Sequence, residues 1–129
     1  FIPLICYEII YSGKINLDKK NANFIINISE DGWFGDSIGP HQHFSHTIFR
    51  AIEEGKNIIR SANNGISAYI DGNGAVVSKL ETTKKGVIEI KNYKKFKETL
   101  FSKFGNKIFF YIILIYVGLI FFIKRWENK

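Results

Sequence analysis

The sequence contains no methionine and only one cysteine, Cys6. A single cysteine cannot close an internal disulfide, so the fold has no covalent staple and the redox compartment is not readable from it. A translation product starts with Met. This chain starts inside an apolar run, "FIPLI", and the expectation is the C-terminal part of a longer protein. No signal peptide is visible and no internal repeat occurs. The 129 residues suffice for one domain with a real core.

Most of the chain also lacks net positive charge. Residues 1–90 hold nine Lys/Arg against ten Asp/Glu, about −1, and residues 91–129 hold nine against two, about +7. The whole excess of +6 therefore sits in the tail, beside a hydrophobic segment. That placement favours a membrane surface over nucleic acid. The first ninety residues show no interleaving of basic and aromatic residues that would suit a nucleic-acid face.

Apolar runs alternate with polar stretches. Ile2–Ile10 is rich in β-branched residues and reads as a buried strand running into a turn. Residues 12–23 fit a short helix or loop, and "FIINI" at 24–28 is a second buried strand. A turn-rich stretch follows, "SEDGWFGDSIGP". From His41 to Lys56 the pattern turns helical: Phe44, Ile48, Ala51 and Ile52 fall at i, i+4, i+7 and i+8, and Gly55 is a stop. Strands are expected at 57–62, 66–71, 75–81 and 86–90, with "DGNG" at 71–74 as a hairpin turn. Strands alternating with a helix, then a hairpin, predict an α/β sandwich for residues 1–90.

Residues 91–107 form a basic, aromatic linker. Then "IFFYIILIYVGLIFFI", 108–123, carries no charge. As a helix it is about 24 Å long, short of a hydrocarbon core of about 30 Å. Lys107, Lys124 and Arg125 flank it and can snorkel, and Trp126 suits an interface. It is apolar all round, unlike a core helix with one polar face, and reads as a transmembrane helix followed by a polar tail at 124–129. More Lys/Arg precede the span than follow it, which by charge alone would put the N-terminal side in the cytoplasm.

Cys6 ends the first apolar run and is followed by Tyr7 and Glu8. Alone, such a cysteine reads as a small core residue. At a strand-to-turn position, though, its sulfur would be exposed and the Tyr7 N–H could face a developing oxyanion, while Glu8 could hold a cation or an amine. Trp33 and Phe34 either cap the core or offer an apolar surface to a greasy substrate. His41, His43 and His46 lack a further ligand to complete a metal site, and His41 and His43 are expected to cap the helix or line the cleft. Asn63 and Asn64 read as turn residues before Gly65. Asp31 and Asp36 read as makers of turn hydrogen bonds, and Arg50, Glu53 and Glu54 as a solvated or ion-paired helix face.

Taken together and in order, "PLICYEI", "NISEDGWFGDSIGPHQHF", "FRAIEEGKNIIRSANNGISAYID" and "GNGAVV" resemble the apolipoprotein N-acyltransferases, a membrane-embedded branch of the nitrilase (carbon–nitrogen hydrolase) superfamily. The resemblance covers about residues 2–90 and extends to a last transmembrane helix. It implies a nitrilase-like fold and a Glu–Lys–Cys triad whose Cys is Cys6, with Tyr7 and Glu8 beside it and Trp33 on the active-site loop. The triad Glu and Lys precede the Cys in that family and map to no residue of this chain. The resemblance further implies a phospholipid acyl donor, a diacylglyceryl apolipoprotein acceptor, no metal or other cofactor, and a bacterial inner membrane with the catalytic domain on its periplasmic face. Glu30 stands where the family often has Asn, and "TLFSKFGN" at 99–106 lacks a family Pro and ends in Asn106. A membrane-anchored nitrilase-type amidase and an inactive membrane-anchored binding module are the competing readings.

Overall fold

The computed structural model describes residues 1–13, 15 and 22–127. Most of the segment expected as a helix or loop at 12–23 lies outside the described residues. Five strands form one sheet in sequence order: β1 (Ile2–Ile5), β2 (Phe24–Glu30), β3 (Asn57–Asn63), β4 (Ser67–Ile70) and β5 (Val76–Leu80). The first three run parallel and the last two pair antiparallel. Helix α1 (Gly39–Glu54) crosses from the end of β2 to the start of β3.

Strand periodicity explains the layering. On one face of the sheet Ile2, Leu4, Ile25, Ile58, Ala68 and Ile70 are buried, and Phe44 and Ala51 of α1 pack onto them. The opposite face leaves Ile5 and Ile28, register partners, 68% and 60% exposed. Of the α/β sandwich expected from the sequence, the described residues therefore build one sheet and its covering helix.

Helix α1 starts at Gly39, with Pro40 in its first turn, where the missing N–H costs nothing. Ser37 Oγ accepts from the Gly39 amide at 3.1 Å. His41 and His43 thus lie inside the helix, two residues and more past its start, and do not cap it. The helix ends at Gly55, whose φ of +61° closes the last turn as expected. Of the predicted apolar stripe, Phe44 and Ala51 are buried but Ile52 is 46% exposed.

The first apolar run forms a strand running into a turn, as expected, whereas the strand expected at 86–90 is missing. The first strand stops at Ile5, because Cys6 turns the chain into a 3-10 segment, Cys6–Ile10. Residues 86–90 form no strand. Val87 is 92% exposed and Glu89 is exposed too, so the segment has no buried face to hold a register. It continues as an extended strap whose Lys94 carbonyl accepts from Asn57 Nδ2 at 2.8 Å and whose Tyr93 ring meets Phe24 edge-on. The "DGNG" turn forms, with φ +86° at Gly74 only; Asp71 Oδ1 accepts from the amides of Asn73 and Ala75.

The strap ends in α2 (Leu100–Phe104), which docks on the C-terminal end of α1. Thr99 accepts from the Ser102 amide and donates to the Glu53 carbonyl, and Ser102 Oγ donates to Glu54 Oε2 at 2.7 Å. Glu54 is buried, and burial raises its pKa although the Ser102 bond opposes the shift. Arg50 is buried too and pairs with Glu53 at 3.0 Å. This helix face is ion-paired as expected, but Arg50 and Glu54 are not solvated.

After Gly105 the chain enters α3 (Lys107–Glu127). The stretch Lys107–Trp126 is 20 residues long, has mean hydropathy 2.2, and none of it is buried. It is longer than the sixteen uncharged residues, because Lys124–Trp126 continue the helix. At about 30 Å it is long and apolar enough to cross a membrane.

Gly55 supports a stability prediction. A Cβ there would run into the Lys97 carbonyl of the strap, in a backbone region that favours glycine. Gly55→Ala is expected to cost about 1–2 kcal/mol or more. Denaturant unfolding of the purified variant in detergent should show it, and an unchanged midpoint would refute the close strap contact.

Candidate active site

The carboxyl ends of β1, β2 and β3 lie along one edge of the sheet, where α1 begins. That edge carries Cys6, the loop Asp31–Phe34, and Asn63–Asn64. In open α/β sheets this is where ligands are bound.

Cys6 adopts φ +50°, a left-handed conformation uncommon for a residue with a Cβ. The backbone turns sharply from strand to 3-10 segment at this one residue, the arrangement that lifts a nucleophile out of a sheet. Two bonds brace the turn. Glu8 Oε2 accepts from the Ile5 amide at 2.7 Å. Asn27 Nδ2 donates to the carbonyls of Leu4 and Cys6, at 3.2 and 3.4 Å. Glu8 is thereby tied back to the strand end through one carboxylate oxygen. Tyr7 opens the first turn of the 3-10 segment, where backbone amides lack an intrahelical acceptor. Its ring stacks on His43 at 5.0 Å.

Beneath this turn lies a buried polar network. Leu4, Asn27, Arg60 and Ala68 are register partners across four strands, so Arg60 occupies an inward position among apolar neighbours. Its Nη2 donates to Asp31 Oδ2 at 2.7 Å, its Nη1 to Asn27 Oδ1, and its Nε to the Ile66 carbonyl at 3.2 Å. Asp31 Oδ1 accepts from Ser29 Oγ at 2.7 Å and from His43 Nδ1 at 2.9 Å. Asp31 makes the expected turn hydrogen bond through its carbonyl, which accepts from the Phe34 amide at 3.1 Å, while its side chain is a core anchor. His43 is buried beneath Tyr7, consistent with a cleft-lining place, while His41 is exposed. His43 Nε2 has no hydrogen-bond partner among the described residues.

Burial pushes the Asp31 carboxyl up, but His43, Ser29 and Arg60 together outweigh it and hold the pKa down at about 2. Burial likewise pulls Arg60 below its usual range, and Asp31 acts against that shift. Ser29 Oγ also lies 3.8 Å from Cys6 Sγ. Its single proton is shared between two acceptors, the Asp31 carboxylate and the sulfur. The Glu30 carbonyl lies 4.0 Å from Sγ on the same side. Among the described residues no Lys or His is hydrogen-bonded to Sγ.

The loop after β2 is pinned at its base and open at its tip. Glu30 Oε1 accepts from the Gly32 amide at 2.7 Å and Oε2 accepts from Asn63 Nδ2, bonds that lower the Glu30 pKa. The departure at Glu30 thus fastens the loop to the end of β3. Phe34 packs against both Tyr7 and His43, whereas Trp33 is 87% exposed. Asn64 takes φ +57° in the β3–β4 turn, as a turn residue should. Gly65 is required beside it, since a Cβ there would strike the Asp31 carboxylate. Among the described residues no group of three or more His, Cys, Asp or Glu side chains could hold a metal.

Asn27, Ser29, Arg60 and the Asp31–His43 pair are absent from the sequence-based site. The signal was present in period 2: in "FIINISE" and "NIIRSAN" polar residues share a face with Ile25 and Ile58.

Residues 2–91 match the family described as carbon-nitrogen hydrolase. The chain is 44% identical over 126 residues to a protein named apolipoprotein N-acyltransferase from Wigglesworthia glossinidia brevipalpis, covering 95% of this chain and 25% of that protein. A protein of the same name from Rhizobium rhizogenes is 37% identical over 126 residues, covering 95% and 23%. Another from Rickettsia bellii is 44% identical over 118 residues, covering 88% and 24%. The chain spans about a quarter of the length of these curated relatives.

Two predictions follow from the network. With a folded pKa of about 2 against a usual value of 3.8, Asp31 contributes about 2 kcal/mol of stability at neutral pH. The pKa is depressed on folding, so this contribution is present above about pH 4 and is lost as pH falls toward 2. Unfolding free energy measured across that window should drop in the native protein, and Asp31→Asn should flatten the drop. Arg60→Met leaves the Asp31 charge buried without its cation and should cost about 3–5 kcal/mol. A denaturation midpoint within error of the native one would contradict the pairing.

Proposed function

The chain belongs to the carbon–nitrogen hydrolase family, and on that premise we propose that it supplies the nucleophile and substrate loop of an apolipoprotein N-acyltransferase. The observation that carries this reading is Cys6 in a left-handed turn at the carboxyl edge of the sheet, with Tyr7 against Phe34 of the loop that bears the exposed Trp33.

In the proposed reaction the Cys6 thiolate adds to the ester carbonyl of a membrane phospholipid. The Tyr7 N–H donates to the developing oxyanion. The carbonyl carbon–oxygen bond to glycerol breaks, and the lysophospholipid leaves as an alcohol after taking a proton. The acyl group stays on Sγ as a thioester. The α-amine of a diacylglyceryl-cysteine on an apolipoprotein then attacks, the C–S bond breaks, an amide forms and the thiolate is regenerated. Proton transfer is assigned to the Glu and Lys that the family resemblance implies. Neither is assigned to a residue of this chain, and none of its lysines is offered as a substitute.

The surroundings support these roles. Glu8 holds the turn at Ile5, which makes it a positioning residue. Phe34 anchors the loop and Trp33 projects from it, offering an aromatic surface to an acyl chain. In this reading α3 crosses a bacterial inner membrane and the catalytic domain faces the periplasm. The lysine excess before α3 opposes that orientation, but large domains translocate largely regardless of flanking charge.

Incubating the full-length protein with phosphatidylethanolamine should add one acyl mass to Cys6, and Cys6→Ala should abolish it, read by intact-protein mass spectrometry. Unacylated native protein that hydrolyses small amides would favour an amidase instead. Trp33→Ala should lower kcat/KM about tenfold for a two-chain phospholipid, the equivalent of losing part of one buried aromatic ring. A short-chain soluble ester should be turned over at the native rate. Equal losses on both substrates would refute the acyl-chain role.

A further inference from the structure

A cavity lies at the junction of α2, α3 and the C-terminal end of α1. It measures about 530 Å³ and is lined by Ser102, Lys103, Phe104, Lys107, Phe110 and Tyr111, among others. Its lining combines two chemistries. Lys103 and Lys107 bring two cations, and neither is in an ion pair among the described residues. Phe104, Phe110 and Tyr111 bring aromatic rings that are largely exposed, the last two on the same face of α3 as Lys107.

The cavity lining carries more positive than negative charge, with Lys103 and Lys107 against Glu54. Helix α3 opens with Lys107 and has no acidic residue in its first turn, so the positive end of its dipole is reinforced. Glu54 also lines the cavity, but its Oε2 accepts from Ser102, which ties the carboxylate to α2. The cavity stands at the first residues of the unburied apolar stretch Lys107–Trp126, which sets the level at which a bilayer would place its headgroups.

We infer that this cavity is a headgroup site for one anionic phospholipid, with the phosphate held by Lys103 and Lys107 and an acyl chain lying along Phe110 and Tyr111. A diester phosphate with attached chains matches both chemistries at once, whereas a free phosphate matches only the lysines. The inference rests on α3 crossing a membrane, as proposed above. The lipid here is a bound neighbour at the Glu54 end of α1, whereas His43 near the other end stacks on Tyr7, and it is not the acyl donor.

The test uses the full-length protein in detergent, with phosphatidylglycerol and phosphatidylcholine as probes and native mass spectrometry as the readout. The native protein should retain one phosphatidylglycerol more tightly than phosphatidylcholine. Lys103→Gln/Lys107→Gln should weaken that retention about thirtyfold, two surface lysines' worth. Lys91→Gln/Lys95→Gln, which removes two linker lysines outside the cavity, should leave it unchanged. Equal loss in both pairs would show diffuse attraction and overturn the site. So would displacement by inorganic phosphate alone, or equal retention of the two lipids. Alkaline carbonate extraction of native membranes separates the two levels of failure. Protein released into the supernatant would overturn the membrane-spanning reading itself, and the lipid site with it. Protein retained without lipid preference would overturn only the lipid site.

Discussion

The pairing of Arg60 with Asp31 is the constraint around which this fold is arranged. An isolated guanidinium or carboxylate in that position would be very costly, so neither residue tolerates loss of the other. Their geometry then dictates much else. Arg60 must donate to Asn27, which frees the Asn27 amide to hold Leu4 and Cys6 by their carbonyls. Asp31 must accept from Ser29 and His43, which fixes the start of α1 against the loop. Gly65 must lack a side chain, because the carboxylate occupies that space. A charge pair thus ties together two loops, three strands and a helix that are remote in sequence.

A network of this kind suits a strained nucleophile. The turn at Cys6 is unfavourable in itself, and a backbone of this sort persists only where its surroundings over-determine it. Here Asn27 and Glu8 hold it from either side, one from the buried face and one from the exposed face. What the described residues do not place beside the sulfur is a hydrogen-bonded base. The Glu30 carbonyl is an acceptor toward it, and the Ser29 hydroxyl lies within donor distance. The proposed chemistry therefore divides the work: this chain holds the sulfur in place, and proton transfer is assigned elsewhere.

Much of the fold was legible in the sequence because burial repeats with a period. The strands at 24–28 and 57–62, helix α1, its stop at Gly55 and the hairpin at 71–74 all follow from spacing and glycine placement. Residues 86–90 misled because an alternation of Val87, Ile88, Glu89 and Ile90 looks like a strand whether or not a sheet is there to receive it. The site was legible in part. Cys6, Tyr7, Glu8, Trp33 and Phe34 stood out as motif residues, and the structure gathers them at one edge. Arg60 and Asp31 did not stand out, because charge in a sequence reads as solvated surface. Only register reveals that Arg60 faces inward with Asn27 beside it. Glu30 read as a departure, yet it fastens the loop through a partner, Asn63, that is thirty-three residues away.

Helix α1 touches both working regions, with His43 under Tyr7 near its start and Glu53 and Glu54 bonded to Thr99 and Ser102 at its end. Its 16 residues make a rod of about 24 Å. For the proposed transfer this rod sets the posture of the domain. Standing along the bilayer normal, it would raise the sulfur most of its own length above the point where α3 enters the membrane. A phospholipid ester would then have to be drawn clear of its leaflet to react. Lying close to the membrane plane, the same rod brings Cys6 and Trp33 down to the height of the ester. For the proposed transfer, a reclining domain is the posture that brings the ester and the sulfur to one height.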